Sequence, residues 1–147
     1  MPQFTVDLSQ GRPIIDLIIA ASAPRIQALT AAGQTPPLPQ TVRALVDTGA
    51  SCTCIDPMIF TALGLQPTGT APMLTPSTGA TPQDADTYDV GIVIPNAQEN
   101  PLIFPVLAVS ACELYAGQGF HALVGRDILA RCLLIYNGRL PYVTIAY

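Results

Sequence analysis

Three observations predict a mostly β-strand protein. Fifteen prolines and eleven glycines in 147 residues interrupt short apolar runs, which is typical of many strands joined by turns. Val90, Ile92 and Ile94 alternate with other residues in the two-residue period of a half-buried strand. Asn137-Gly138 lies between two apolar runs and is a strong signal for a hairpin turn. A chain of this length is expected to form one domain, residues 1–147.

The predicted elements follow from these patterns in chain order. We predict strands over Phe4–Leu8, Ile14–Ala21, Thr41–Val46, Ser51–Ile55, Ala71–Thr75, Ala85–Pro95, Pro101–Ser110, Cys132–Tyr136 and Arg139–Ala146. Proline suits the first position of a helix and glycine suits its end, so a short helix is predicted over Pro57–Leu63, before Gly64. Asp56, directly before Pro57, is predicted to cap this helix. A second short helix is predicted over Arg126–Arg131. Residues 22–40 contain four prolines and are predicted to be mostly a loop, with room for one helical turn near Ile26–Leu29.

Composition and charge exclude several classes of function. The net charge is −4 and the six basic residues are scattered arginines, so no nucleic-acid partner is expected. The longest apolar stretches, at Ile14–Ala23 and Leu102–Cys112, are too short to cross a membrane and are interrupted by Asp16 or Pro105. The N-terminus lacks the basic-then-apolar order of a secretory signal, so a cytoplasmic location with reduced thiols is expected.

The four cysteines are expected to pack as small apolar side chains. Cys52 and Cys54 are two residues apart on a predicted strand, so their side chains should point the same way. With His121 they could in principle bind zinc, but a Cys-x-Cys pair without a second close pair is a poor zinc signature. The expectation is therefore no metal and no cofactor. The minor alternatives are a metal site or a disulfide formed by the four cysteines (Cys52, Cys54, Cys112 and Cys132), or a catalytic cysteine paired with His121, the single histidine.

The most informative segment joins an apolar strand to an acidic turn. Residues 44–46 are apolar and run directly into Asp47, Thr48 and Gly49. A carboxylate at the end of a buried strand costs free energy unless hydrogen bonds or a chemical role compensate. Glycine allows close approach of the backbone, and the threonine hydroxyl can bond to a neighbouring main chain.

These residues, followed by Ala50-Ser51, resemble the catalytic loop of aspartic proteases. Ala122–Leu129 resembles a second motif, the apolar run, Gly, Arg and Asp that opens the C-terminal helix of retroviral-type proteases, the retropepsins. The two motifs have the family's order, and the resemblance covers nearly the whole chain. It implies a closed β-barrel with the apolar run beneath the catalytic loop and a close crossing of two chain segments at Gly125. We expect Arg126 and Asp127 to be structural support, with Arg126 in a buried ion pair; direct contact of Arg126 with the substrate is the alternative.

The resemblance implies that Asp47 is catalytic. Aspartic proteases use two adjacent carboxylates that share one proton, and this chain supplies one Asp-Thr-Gly. The chemistry therefore requires a homodimer with Asp47 and its mate on the two-fold axis, acting on an extended polypeptide. Thr48 is expected to bond to the partner's loop and Gly49 to lie beside the substrate. One or both of the terminal segments, Phe4–Leu8 and Tyr142–Tyr147, are expected at the interface.

A hairpin is expected to cover the cleft as a flap. Its tip would contain Ser77, Thr78 and Gly79, which could offer main-chain or hydroxyl hydrogen bonds to the substrate. Two features depart from the viral pattern. Viral enzymes usually have an acidic residue four positions after the catalytic Asp, where it holds the arginine of the C-terminal helix, but here that position is Ser51. The flap tip also has one glycine, whereas viral flaps have several. The alternative function is therefore a retropepsin-like dimerisation or peptide-binding module that does not cleave.

Overall fold

The computed structural model describes residues 1–8, 10–75 and 79–147. Within these ranges the chain forms ten strands and four short helices. The strands are β1 (Gln3–Asp7), β2 (Ile14–Ala21), β3 (Gln40–Val46), β4 (Cys54–Ile55), β5 (Gly69–Met73), β6 (Gln83–Ile94), β7 (Leu102–Ala111), β8 (Ala122–Val124), β9 (Leu133–Asn137) and β10 (Tyr142–Ala146). The helices are α1 (Ala23–Ala31), α2 (Pro57–Ala62), α3 (Tyr115–Gln118) and α4 (Arg126–Leu129). The prediction of a mostly β protein is confirmed.

Six strands close into a barrel. Their order is β2-β3-β8-β4-β7-β6, and β6 pairs with β2 to complete the ring. The long strand β6 can do this because its first residues pair with β5, while its later residues pair with β2 and β7. Leu17, Ile19 and Ile92 point into the barrel and are fully buried. The β5–β6 hairpin extends from the barrel as an appended pair of strands.

The two ends of the chain form a separate three-stranded antiparallel sheet. Its order is β1-β10-β9, and Gln3 pairs with Ala146. The β9–β10 hairpin forms at Asn137-Gly138, but its loop is longer than the predicted two residues, because β10 begins at Tyr142. The Asn137 side chain accepts hydrogen bonds from the main-chain N–H groups of Arg139 and Leu140. These groups therefore do not pair across strands, and the predicted strand start at Arg139 is wrong.

The structure corrects the number and extent of the helices. Residues 22–40 are not mostly loop, because α1 occupies nine of them. Pro24 lies in the first turn of α1. Main-chain N–H groups in the first turn have no acceptor within the helix, so the N–H that proline lacks is not needed there and this proline does not prevent the helix. The helix α3 was not predicted at all. The strand predicted over Ser51–Ile55 is reduced to its last two residues, and the helix predicted over Arg126–Arg131 ends at Leu129.

The helices are short, and none of those in the described ranges is long and apolar enough to cross a membrane.

Candidate active site

Asp47 lies where β3 leaves the barrel. β3 runs parallel to β8, and the main-chain N–H of Asp47 donates to the carbonyl of Val124 at 3.0 Å. The Asp47 carboxylate is fixed by its own loop, because Oδ1 accepts a hydrogen bond from the Gly49 N–H at 2.8 Å. Asp47 is half-buried, whereas Thr48 and Gly49 are exposed. The loop therefore holds one carboxylate oriented at the surface of the barrel.

Gly49 lies in close contact with that carboxylate. A Cβ at this position would lie 3.1 Å from Asp47 Oδ1, tighter than side chains normally pack. A larger residue would force the carboxylate to shift by a few tenths of an ångström. The structure thus gives a physical reason for the glycine in the Asp-Thr-Gly turn.

The segment after the loop crosses the start of α4 at very short range. A Cβ on Gly125 would lie 2.4 Å from the carbonyl carbon of Cys52 and 2.8 Å from the main-chain nitrogen of Thr53. Both atoms belong to the backbone and cannot rotate away. The close crossing implied by the family resemblance is therefore present, and only glycine fits there.

Arg126 supports the loop through carbonyl oxygens. Its Nη1 donates to the carbonyls of Thr48 at 3.0 Å and Gly49 at 3.3 Å, and its main-chain N–H donates to Ala50 at 3.0 Å. Within the single chain Arg126 is exposed and bonds to these carbonyls, so the expected burial against an acid is not formed inside the described chain. With Ser51 in place of an acid, the carbonyls of the exposed turn are the acceptors within reach.

Asp127 joins a network centred on Thr53, a residue that the sequence analysis did not single out. Thr53 is fully buried, and its N–H and hydroxyl donate to the two carboxylate oxygens of Asp127 at 2.8 and 2.7 Å. The Thr53 hydroxyl oxygen in turn accepts from the Gly125 N–H at 3.2 Å. The Ile128 N–H also donates to Asp127. The sequence offered one signal for this network: the polar residue Thr53 lies between Cys52 and Cys54 in a run that resembles a buried strand.

Asp56 caps α2, as its position before Pro57 indicated. Its carboxylate accepts hydrogen bonds from the N–H groups of Met58, Leu114 and Tyr115. Burial by itself raises the pKa of Asp56, but these three hydrogen bonds and the nearby His121 outweigh burial and lower the pKa below 3.8. Asp56 thereby ties α2 to the start of α3, and its role is structural.

A cleft of about 340 Å³ opens beside Asp47. Its walls are mostly apolar residues and thiols that lie on β4, β5 and β8 or directly beside β4, β5 and β7. Besides residues of the Asp47 loop, the lining residues are Ser51, Cys52, Cys54, Met73, Leu74, Thr75, Cys112 and Leu123. Met73 and Leu74 lie at the end of β5, so the β5–β6 hairpin borders the cleft in the way expected of a flap.

The predicted flap tip is only partly described. Ser77 and Thr78 lie outside the described residues, so their predicted contacts stay predictions. Gly79 has φ of +62°, a backbone conformation that L side chains rarely adopt, which suits a tight turn between β5 and β6.

The cysteines and His121 are not joined into a metal centre. All four cysteines are free thiols, and within the described ranges no three histidine, cysteine or acidic side chains are arranged to hold a metal ion. The ring of His121 stacks on Tyr115 at 4.3 Å between centroids. This packing agrees with a structural histidine.

Comparison with known proteins places this chain in a family. No curated protein sequence matches the chain. Among solved structures, the chain is similar to a retropepsin-like aspartic protease from Rickettsia conorii, with a TM-score of 0.60 and 14% identity over 98% of this chain and 90% of that one. A family model described as aspartyl protease matches residues 29–128, which include both Asp47 and the Gly125 crossing. The chain therefore belongs to the aspartyl protease family and has the retropepsin-like fold.

Proposed function

We propose that the protein is a homodimeric aspartic endopeptidase in which Asp47 and its symmetry mate activate a water molecule. The observation that carries this proposal is the fixed Asp47 carboxylate, which is held by the Gly49 N–H and opens into the apolar cleft. The loop around it is anchored on both sides, by β8 and by Arg126. Such anchoring is what a catalytic group needs to keep its orientation.

Each chain supplies one carboxylate, and the chemistry needs two. In the dimer, two Asp47 carboxylates about 3 Å apart would share one proton, because both cannot ionise cheaply at that distance. The ionised member accepts a proton from the water that attacks the peptide carbonyl. The protonated member donates a hydrogen bond to the carbonyl oxygen as negative charge develops there.

The exposed parts of the loop and of the terminal sheet suit a two-fold partner. Thr48 is exposed beside Asp47 and could bond to the partner's loop. β10 is flanked by β1 and β9, so additional strands from a partner would have to join at β1 or β9. On β9, Leu133 and Ile135 are two residues apart, so they lie on the same face of the strand, and both are half exposed; such an apolar face favours coverage by a second copy.

The cleft suits an extended polypeptide. Its walls bind apolar side chains, and the only charged group among its lining residues in the described ranges is Asp47. In the proposed complex the β5–β6 hairpin closes over the peptide, with Ser77, Thr78 and Gly79 at its tip and the Gly49 main chain beneath it.

The test compares wild type with Asp47→Asn on proteome-derived peptides, with cleavage read by mass spectrometry between about pH 3 and pH 7. Wild type should cleave with a bell-shaped pH profile, because activity needs one charged and one neutral carboxylate. Asp47→Asn keeps the shape of the site but removes the base, so cleavage should disappear while the thermal midpoint is retained. Asp16→Asn, at an exposed position on β2, is the matched control and should cleave like wild type.

Two outcomes would contradict the assignment. Cleavage by Asp47→Asn at the wild-type rate would remove Asp47 from catalysis, and loss of wild-type cleavage with a chelator would indicate metal chemistry. A wild-type protein that binds peptides but cleaves none would favour the alternative binding module. Sedimentation of a fully active monomer would contradict the dimer.

A further inference from the structure

A second pocket adjoins the cleft beside Asp47, between the β5–β6 hairpin and the chain that leaves β7. Its volume is about 590 Å³, and Met73, Thr75 and Cys112 line both this pocket and the cleft. We call this space the outer pocket; its other lining residues are Gln83, Asp84, Ala85, Ala111 and Glu113. Because the two spaces share a wall, a polypeptide that lies in the cleft can place a side chain in the outer pocket.

The two carboxylates of the outer pocket come from different parts of the fold. Asp84 lies on β6, in the hairpin proposed to act as the flap. Glu113 lies two residues beyond the end of β7, and the chain on either side of it is fixed by hydrogen bonds. The Cys112 N–H donates to a carbonyl of β4 at 3.1 Å, and the Leu114 N–H donates to the Asp56 carboxylate at 2.9 Å. The hairpin therefore supplies one acid and the wall of the barrel supplies the other.

The charge of the outer pocket determines which side chain suits it. None of its lining residues in the described ranges is basic, so the two carboxylates have no cation beside them there. A basic side chain from a ligand balances this charge and can donate hydrogen bonds to the carboxylates, whereas an acidic side chain is repelled. Met73, Ala85 and Ala111 provide an apolar wall, against which the methylene stem of arginine or lysine can pack. The pocket thus has the chemistry expected for a long basic side chain.

We propose that the outer pocket is a specificity subsite in which Asp84 and Glu113 bind an arginine or lysine side chain of the polypeptide substrate. The inference rests on the proposed protease function, because the subsite adjoins the cleft proposed to hold the scissile bond. In an extended peptide, side chains two residues apart lie on the same face, about 6–7 Å from each other. The adjoining pockets therefore suit a substrate with a basic residue two positions away from the apolar residue that fills the cleft.

The test uses pairs of peptides that differ only in having arginine or leucine at one position. The parent is a peptide that wild type cleaves, substituted in turn at each position around the scissile bond, and the measured quantity is the ratio of kcat/KM for the arginine and leucine peptides. At one position wild type should favour arginine by at least about tenfold. Asp84→Asn/Glu113→Gln preserves the size of both side chains but removes both charges, so this ratio should fall below about twofold. A change in overall activity does not affect the ratio.

The matched control is Asp86→Asn/Glu99→Gln, which removes one aspartate and one glutamate charge outside the outer pocket. Asp86 lies on β6 two residues after Asp84, and both control side chains are exposed. The chain has a net charge of −4, so its whole surface attracts basic peptides to some extent. The control changes the net charge by the same amount as the test variant, and it should keep the wild-type ratio.

Binding separates this inference from the proposed protease function. Asp47→Asn removes the catalytic base but leaves the outer pocket, so fluorescence anisotropy should show at least about tenfold tighter binding of the arginine peptide than of the leucine peptide. If wild type cleaves nothing, the parent is chosen from the peptides that Asp47→Asn retains. An arginine preference in binding that disappears with Asp84→Asn/Glu113→Gln then supports the subsite even though the protease proposal fails. Three results would overturn the inference: no measurable preference for arginine at any position, a preference that persists in the test variant, or an equal loss of preference in the control variant.

Discussion

Thr53→Val tests whether the buried threonine organises the catalytic region. Valine has nearly the same shape, so the change removes the hydroxyl without creating a large cavity. The lost group donates to Asp127 at 2.7 Å and accepts from the Gly125 N–H at 3.2 Å. The Thr53 N–H and the Ile128 N–H still donate to Asp127, so that carboxylate keeps two of its three donors. The Gly125 N–H would be buried without an acceptor.

These contacts give the expected magnitude. A hydrogen bond to a charged acceptor contributes about 1.5–3 kcal/mol, and a buried unsatisfied N–H costs about 1–3 kcal/mol. The substitution removes both hydrogen bonds of the Thr53 hydroxyl at once, and the surrounding groups are expected to relax and recover part of the loss. We therefore predict that Thr53→Val lowers the free energy of unfolding by about 3 kcal/mol. That is a large part of the 5–15 kcal/mol that is typical of a domain, so the urea midpoint should fall by roughly 1–2 M.

The measurement is urea unfolding followed by circular dichroism, at one protein concentration because association affects stability. Thr61→Val is the matched control: Thr61 is exposed on α2 and its hydroxyl donates to the Pro57 carbonyl at 3.2 Å. The control should change stability by less than about 0.5 kcal/mol. Equal, small effects of the two substitutions would refute the role assigned to Thr53.

Two further predictions concern the crossing and the cap. Gly125→Ala places a Cβ against backbone atoms, so it should destabilise the fold by at least about 1–3 kcal/mol. Gly117→Ala is the control and should not destabilise the fold, because the space around Gly117 is open. Equal thermal midpoints of the two variants would contradict the close crossing at Gly125. Asp56 has a lowered folded-state pKa, so its carboxylate stabilises the fold above pH 3.8 and this contribution is lost as the pH falls through the lower value. Asp56→Asn leaves the Leu114 and Tyr115 N–H groups without the carboxylate, so the free energy of unfolding should fall by about 1–3 kcal/mol near pH 7. The difference in thermal midpoint between the variant and wild type should narrow in acid, and a difference that stays constant with pH would refute this.

Local chemistry in the sequence determined much of the result. The strands β2, β3 and β7 could be predicted because apolar periodicity and turn residues act over a few neighbouring positions. Asp47 could be singled out as a candidate site residue for the same reason, since a carboxylate at the end of an apolar strand needs compensation. The start of α2 followed from Asp56 and Pro57, which act through local capping and a fixed φ.

Other features were decided by tertiary structure, because they depend on residues far apart in the chain. The helix α1 has weak local signals. The prolines at positions 36, 37 and 39 favoured a loop across this region, but the helix ends at Ala31, before them. Arg126 finds its acceptors 77 and 78 residues away, and Thr53 meets Asp127 across 74 residues. Cys54 and Cys112, which both line the cleft, converge for the same reason, since the pairing of β4 with β7 brings them close together. Periodicity determines which side chains are buried, but only closure of the barrel determines which of them meet.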